Sequence, residues 1–184
     1  LDGKGIELTV GHTKAGLTTR GHRFMAPETI TVSDADSYVS GLRDHHVLVS
    51  PVERRKAVLD EVNGAVRQWS DVEGAAPILD EELVDTVTNL VEIPWGVCGS
   101  FDGRNGTLLP MFVAVNNTRV DDRDLAVSGH QRVLRARLED GLFFFREDKK
   151  RTLSDRCRDL AGIVFQNKLG SMLEKSERLV ELVR

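Results

Sequence analysis

The sequence predicts an α+β (mixed α/β) fold, with a small mixed sheet flanked by helices and a helical C-terminal third. Three observations carry that expectation. Short β-branched or apolar stretches (Ile6–Val10, Thr18–Phe24, Trp95–Phe101, Leu108–Val115) alternate with capped amphipathic ones. The strand-like stretches are few. Nearly everything after Ser128 has helical spacing. The expected organisation is a mixed sheet and helix domain over residues 1–150 and a helical extension over 151–184.

Ile6, Leu8 and Val10 alternate with polar residues and read as a strand, and Gly11–Gly16 reads as a turn or loop. Thr18–Phe24 reads as a second strand, closed by Pro27. In an extended chain Arg20 and His22 share one face and Arg23 takes the other. Gly21 would let another backbone or a ligand approach closely. Ser33 or Asp34 caps a short helix through Tyr38 and Leu42, and His46–Val49 is expected to be a short strand. Ser50-Pro51-Val52-Glu53 is a strong helix start: Ser caps, Pro takes the first helical position and Glu reaches back to the cap. Val58, Val62, Ala65, Val66 and Trp69 then form one face.

Gly74–Pro77 is a break. Asp80 caps the next helix, with Leu83, Val84, Val87, Leu90 and Val91 expected inward before Pro94 stops it. The continuous apolar run of Leu108–Val115 suggests a strand covered on both faces. After a loop at Asn116-Asn117 and Asp121-Asp122 comes Ser128–Lys150. Its Leu134, Leu138, Leu142 and Phe145, widened by Val133 and Phe144, make one apolar helix face expected to enter a core. Arg132, Arg135 and Arg137 lie around the other sides. They can present guanidinium forks to phosphate or carboxylate, or pair with Glu139, Asp140 and other acids. Thr152 and Asp155 start a helix with Leu153, Cys157, Leu160, Ala161, Val164 and Phe165 inward. Gly170-Ser171 breaks it, and Met172–Val183 is a last amphipathic helix.

The formal charge of −4 argues against a strong non-specific nucleic-acid binder. The charge is uneven. Asp34–Pro94 holds 13 acids against 5 bases, whereas Arg132–Arg151 holds 7 bases against 4 acids. A polyanion would meet the second segment. No apolar run is long enough to span a membrane, and no charged-then-apolar leader is visible. The start at Leu1 suggests a piece cut from a longer protein. Cys98 and Cys157 give no disulfide framework, so a reducing, cytoplasmic setting is expected. The five His residues make no metal-ligand spacing, and no metal site is expected.

Four ordered stretches carry a resemblance: TTRGHRFMAP (Thr18–Pro27), VTNLVEIP (Val87–Pro94), LLPMFVAVNN (Leu108–Asn117) with SGHQRVLRARLEDGLFFFREDKK (Ser128–Lys150), and VFQNKLGSMLEKSERL (Val164–Leu179). Together they resemble the beta subunit of the bacterial heterotetrameric glycyl-tRNA synthetase, in its N-terminal half. There are two departures. Family members usually read Gly-Asn-Glu where this chain has Gly129-His130-Gln131, so no acid/base work is assigned there. The family also carries a further strand and helix where Phe101-Asp102 runs straight into Gly103. Either that segment is missing or the numbering closes over it, and a chain break or truncated loop is expected at Asp102–Gly103.

The resemblance implies an aminoacyl-tRNA synthetase, a ligase of protein biosynthesis that joins glycine to its tRNA using ATP and Mg. The catalytic site would be held by an alpha subunit, in an assembly of two alpha and two beta chains. The beta subunit would bind tRNA and complete the assembly. The implied fold is similar to the editing-type domain of the phenylalanyl-tRNA synthetase beta subunit, an analogy of fold only. No partner DNA or membrane is implied, and this fragment would hold no cofactor and no catalytic residue. The expected RNA-binding residues are Arg20, His22, Arg23, Arg132, Arg135 and Arg137. Each cluster has a second reading, as ion pairs that pin a strand end or tie a helix to its neighbours. Editing-type hydrolysis of aminoacyl-tRNA and a purely structural scaffold remain alternatives. Within the chain, Gly103-Arg104-Asn105-Gly106 is a hairpin-type turn signal and not a phosphate-cradling loop. Cys98, between apolar residues, reads as a buried structural thiol. His45-His46 reads as structural or solvent-facing.

Overall fold

The computed structural model describes residues 7–69, 72–101 and 109–183. The chain gathers into two compact units, Leu1–Arg132 and Val133–Arg184, a division that falls inside a helix and not at residue 150. The class is α+β. Among the described residues the strands form separate two-stranded antiparallel sheets, not one mixed sheet.

In the first unit, β1 (Thr9–Val10), at the end of the first expected strand, pairs with β2 (Thr13–Lys14), which lies inside the expected loop, in a hairpin turning at Gly11 with φ +60°. The second expected strand is shorter than its pattern. β3 (Thr18–Arg20) pairs with β4 (Thr29–Thr31), and the chain turns at Arg23–Met25. Arg23 therefore sits on a turn, not on the opposite strand face. Asp34 caps α1 (Ala35–Asp44) in a reciprocal capping box with Ser37. The Ser37 backbone and hydroxyl hold the Asp34 carboxyl below its ordinary pKa. That contribution is complete above the unfolded carboxyl pKa and fades as pH falls through the lowered one.

Residues 46–49 are not a strand. Val47 N–H donates to Leu42 O at 2.8 Å and His46 N–H to Arg43 O at 3.1 Å, which closes α1 with the paired bonds of a Schellman motif. His46 takes the left-handed position of that motif at φ 62°, where glycine is usual. His46→Gly is therefore expected to raise stability by about 1 kcal/mol, read as a higher denaturant midpoint with unchanged slope.

α2 (Pro51–Trp69) starts at the Ser50-Pro51 signal. Ser50 Oγ accepts from Glu53 N–H at 3.4 Å, but the Glu53 carboxylate pairs with Arg43 and leaves the cap box half made. α3 (Glu81–Leu90) is capped by Asp80. β5 (Trp95–Ser100) and β6 (Met111–Asn116) form the longest hairpin. α2 lies across it and α3 packs beside α2. Val58, Ala65, Val66, Val84, Val91, Val97 and Cys98 make the buried core. The Trp69 side chain lies outside the described residues. Of the expected inner face of α3, Leu83 and Leu90 are exposed, and Thr88 is buried in their place with its hydroxyl donating to Val84 O. Gly96 is required by the close pass of α2: a Cβ there would stand 2.7 Å from Glu61 O. Burial pushes the Cys98 thiol up against an opposing pull from Arg123, consistent with a structural cysteine.

The 26-residue helix α4 (Arg123–Asp148) begins five residues before the expected start and continues into the second unit. That unit adds α5 (Leu153–Cys157), a 3-10 turn at Arg158–Gly162, the hairpin of β7 (Val164–Gln166) with β8 (Gly170–Ser171), and α6 (Met172–Val183). The helix expected from Thr152 through Phe165 thus stops after five residues and turns into a hairpin. The inward faces expected for this region are not inward. None of the described residues of the second unit is buried, Leu138, Leu142, Phe144 and Phe145 included.

Candidate nucleic-acid interface

β3 delivers Arg20 to the start of a tight turn. Gly21 follows with its backbone against other chain: a Cβ would meet Ala26 O at 2.4 Å and His45 Cβ at 2.6 Å. The close approach read from the sequence is made to a backbone. It seats the next residue, His22, fully buried at 0% exposure. His22 N–H donates to His45 O at 2.9 Å, and Ala26 N–H returns to His22 O at 3.0 Å. Both ring nitrogens are used. Nδ1 accepts from the N–H groups of Phe24 and Met25, each at 3.2 Å, and Nε2 donates to the backbone carbonyl of Asn117. The Glu92 carboxylate stands 3.7 Å from Nε2.

Asn117 is itself fixed, its Oδ1 accepting from Glu92 N–H at 2.6 Å and Ile93 N–H at 3.3 Å. Leu48 N–H donates to Glu92 O at 2.9 Å. Arg54, which the sequence does not single out, closes the same corner. Its guanidinium donates to Thr88 O at 2.7 Å and Leu48 O at 2.6 Å. The turn after β3, the end of α1, the segment after α3 and the end of β6 thus meet at one ring. A ring so enclosed offers nothing to a polyanion. His22 takes the structural side of its two readings, pinning the strand end toward Glu92.

Arg20 and Arg23, on either side of that anchor, are exposed. Arg132, in the first unit, and Arg135 and Arg137, in the second, are exposed too. Among the described residues Arg20, Arg23, Arg132 and Arg137 make no side-chain ion pair. The first turns of α4 are fastened to the β5–β6 hairpin by His130 and Gln131. His130 Nε2 lies 2.9 Å from Asn116 Oδ1, and Gln131 donates to Ser100 O at 2.6 Å. Arg123 donates to Cys98 O at 3.0 Å. Arg132, the residue after Gln131 on this helix, is exposed.

The first unit also holds an open cavity of about 570 Å³, lined chiefly by α2, α3, residues 72–80 and β6. Its walls are mostly apolar and do not include His22. Among the described residues no three His, Cys, Asp or Glu side chains converge as a metal site, and no helix is long and apolar enough to cross a membrane. The Asp102–Gly103 junction lies outside the described residues.

Comparison with known proteins gives one consistent family. The family model described as glycyl-tRNA synthetase beta subunit matches this chain in two pieces, residues 1–105 and 102–184. A glycine–tRNA ligase beta subunit of Myxococcus xanthus is 40% identical over 198 aligned positions, covering 94% of this chain and 28% of its own length. Those of Syntrophus aciditrophicus and Anaeromyxobacter dehalogenans are 37% and 39% identical, covering 98% and 97% of this chain and 29% of their own lengths. The chain thus spans less than a third of these relatives. The alignments are longer than its 184 residues, and the family match divides at the same junction where the sequence departs from the family pattern.

Proposed function

This chain belongs to the glycyl-tRNA synthetase beta subunit family, and from that premise we propose that it supports ATP-dependent attachment of glycine to tRNA by binding tRNA and helping the subunits assemble. In this reading the aminoacylation site, with its ATP and Mg, belongs to an alpha subunit in a cytoplasmic assembly of two alpha and two beta chains. The observation that carries the reading is the pair of exposed guanidiniums, Arg20 and Arg23, held on a backbone that His22 fixes from inside. A cation on a rigid turn loses little freedom when it meets a phosphate, so the contact keeps more of its energy. Phosphate contacts of this kind position an RNA without reading its sequence. Arg132 in the first unit, and Arg135 and Arg137 in the second, are further exposed cations on α4. The exposed apolar faces of the second unit support a role in assembly, and the exposed arginines weigh against a pure scaffold.

A salt titration of tRNA binding tests the proposal. At a net charge of −4 the chain gains no long-range attraction for RNA. Binding is therefore expected to be weak and to fall steeply with salt. Arg20→Gln and Arg23→Gln should each reduce the slope of log affinity against log salt by roughly 0.7–0.9 and weaken binding to all tRNAs alike, with unchanged melting temperatures. Substitutions that lower the melting temperature and leave the slope untouched would show the arginines to be structural.

A further inference from the structure

We propose that Phe24 stacks on the base of an unpaired nucleotide, so that the turn after β3 takes a single-stranded part of tRNA and not its paired stems. The inference deepens the RNA-binding reading and rests on it. Phe24 is 75% exposed, although His22 and Ala26 on the same turn are buried. It is the one exposed phenylalanine among the described residues of the first unit. A single exposed ring on a protein surface is ordinary. This one is held in place and stands beside two exposed guanidiniums.

The turn is fastened at several points. Ala26 N–H donates to His22 O at 3.0 Å and closes it, and Gly21 N–H donates to Glu28 O at 3.4 Å at its foot. Phe24 N–H donates to Nδ1 of the buried His22 at 3.2 Å. Met25 Sδ accepts from Arg119 N–H at 3.3 Å. The Phe24 ring leans on the His22 ring, with centroids 6.2 Å apart and planes inclined at 57°, within the range of an attractive aromatic pair. That contact orients the ring without covering it. A ring held in this way loses little freedom when a base settles on it.

Arg23 is the chain neighbour of Phe24, and Arg20 lies four residues back at the foot of the turn, both exposed. An unpaired nucleotide offers a base face with a phosphate on either side, which an aromatic ring with nearby cations matches. In a paired stem each base already stacks within the helix and presents no free face, so a duplex gains from the arginines alone. A partner with an apolar surface would bury both guanidiniums along with the ring, a desolvation cost that a phosphate offsets.

Titration of the chain with tRNA, a single-stranded oligouridine and a blunt-ended RNA duplex, over a range of salt and beside thermal melts, provides the test. Phe24→Leu keeps an apolar side chain and removes the stacking face. It is expected to weaken binding of tRNA and oligouridine about tenfold and to leave the duplex affinity, the salt slope and the melting temperature unchanged, because the ring is exposed. Phe24→Trp should bind at least as tightly as the parent chain, and the emission its indole adds should be quenched by oligouridine and not by duplex. If Phe24→Leu binds all three RNAs like the parent while Arg20→Gln still reduces the salt slope, the stacking inference is wrong and the RNA-binding reading stands. An equal loss on the duplex, or a melting temperature lowered in both Phe24 variants, would also overturn the inference. A parent chain that binds none of the three at low salt would overturn both.

Discussion

Gly21→Ala is expected to destabilise the first unit by about 3 kcal/mol, at the upper end of the cost of overpacking, and to lower the melting temperature by roughly 10 °C. The added methyl would lie 2.4 Å from Ala26 O and 2.6 Å from His45 Cβ. Both obstacles are fixed. Ala26 and His45 belong to the same hydrogen-bonded corner, so relief for the methyl breaks the His22 N–H to His45 O bond or the Ala26 N–H to His22 O bond. Gly141→Ala is the internal control. A Cβ there meets nothing within 4 Å, and α4 should gain stability by about 1 kcal/mol from the better helix former. A melt in which both variants behave alike would refute the close approach.

His22→Ala should cost about 4 kcal/mol, combining a large-to-small change in a closed site with stranded polar groups. The Asn117 carbonyl loses its donor and the N–H groups of Phe24 and Met25 lose their acceptor. Released from the ring, the turn that carries Arg23 is free to move. tRNA binding should then fall even where the chain is still folded, at low temperature. Arg20→Gln gives the opposite pattern, with weaker binding at an unchanged melting temperature. Urea unfolding beside tRNA titration separates the two. If His22→Ala melts like the parent chain, the ring is not the anchor.

The parts of this fold that were legible in the sequence are those decided by local chemistry. Asp34, Asp80 and the Ser50-Pro51 pair start helices where their side chains meet backbone N–H groups three residues on. The amphipathic run Met172–Val183 is helical over its whole length. The misses have a common cause in non-local partners. Alternation in Thr18–Phe24 looks like strand, but Gly21 lets the chain dive against α1, and the buried ring ends the strand at Arg20. His46–Val49 has strand composition, yet its backbone groups are taken by α1, Glu92 and Arg54. The apolar stripe of α4 has the expected spacing, yet Leu138, Leu142 and Phe145 enter no core among the described residues. A period of 3.6 shows that a face is apolar and says nothing about which chain covers it. At the candidate site, the charges of Arg20 and Arg23 marked them as candidates. His22 could not be sorted from them, because burial depends on Asn117, 95 residues away.

Adding unlabelled tRNA to the isotope-labelled 20.5 kDa chain and following its amide resonances tests the central claim most directly. Shifts are expected to concentrate at Arg20, Gly21, Arg23 and Phe24, to extend to Arg132 and its neighbours, and to fade as salt is raised. Shifts concentrated on the apolar cavity or on α6, or a spectrum unmoved by saturating tRNA at low salt, would contradict it.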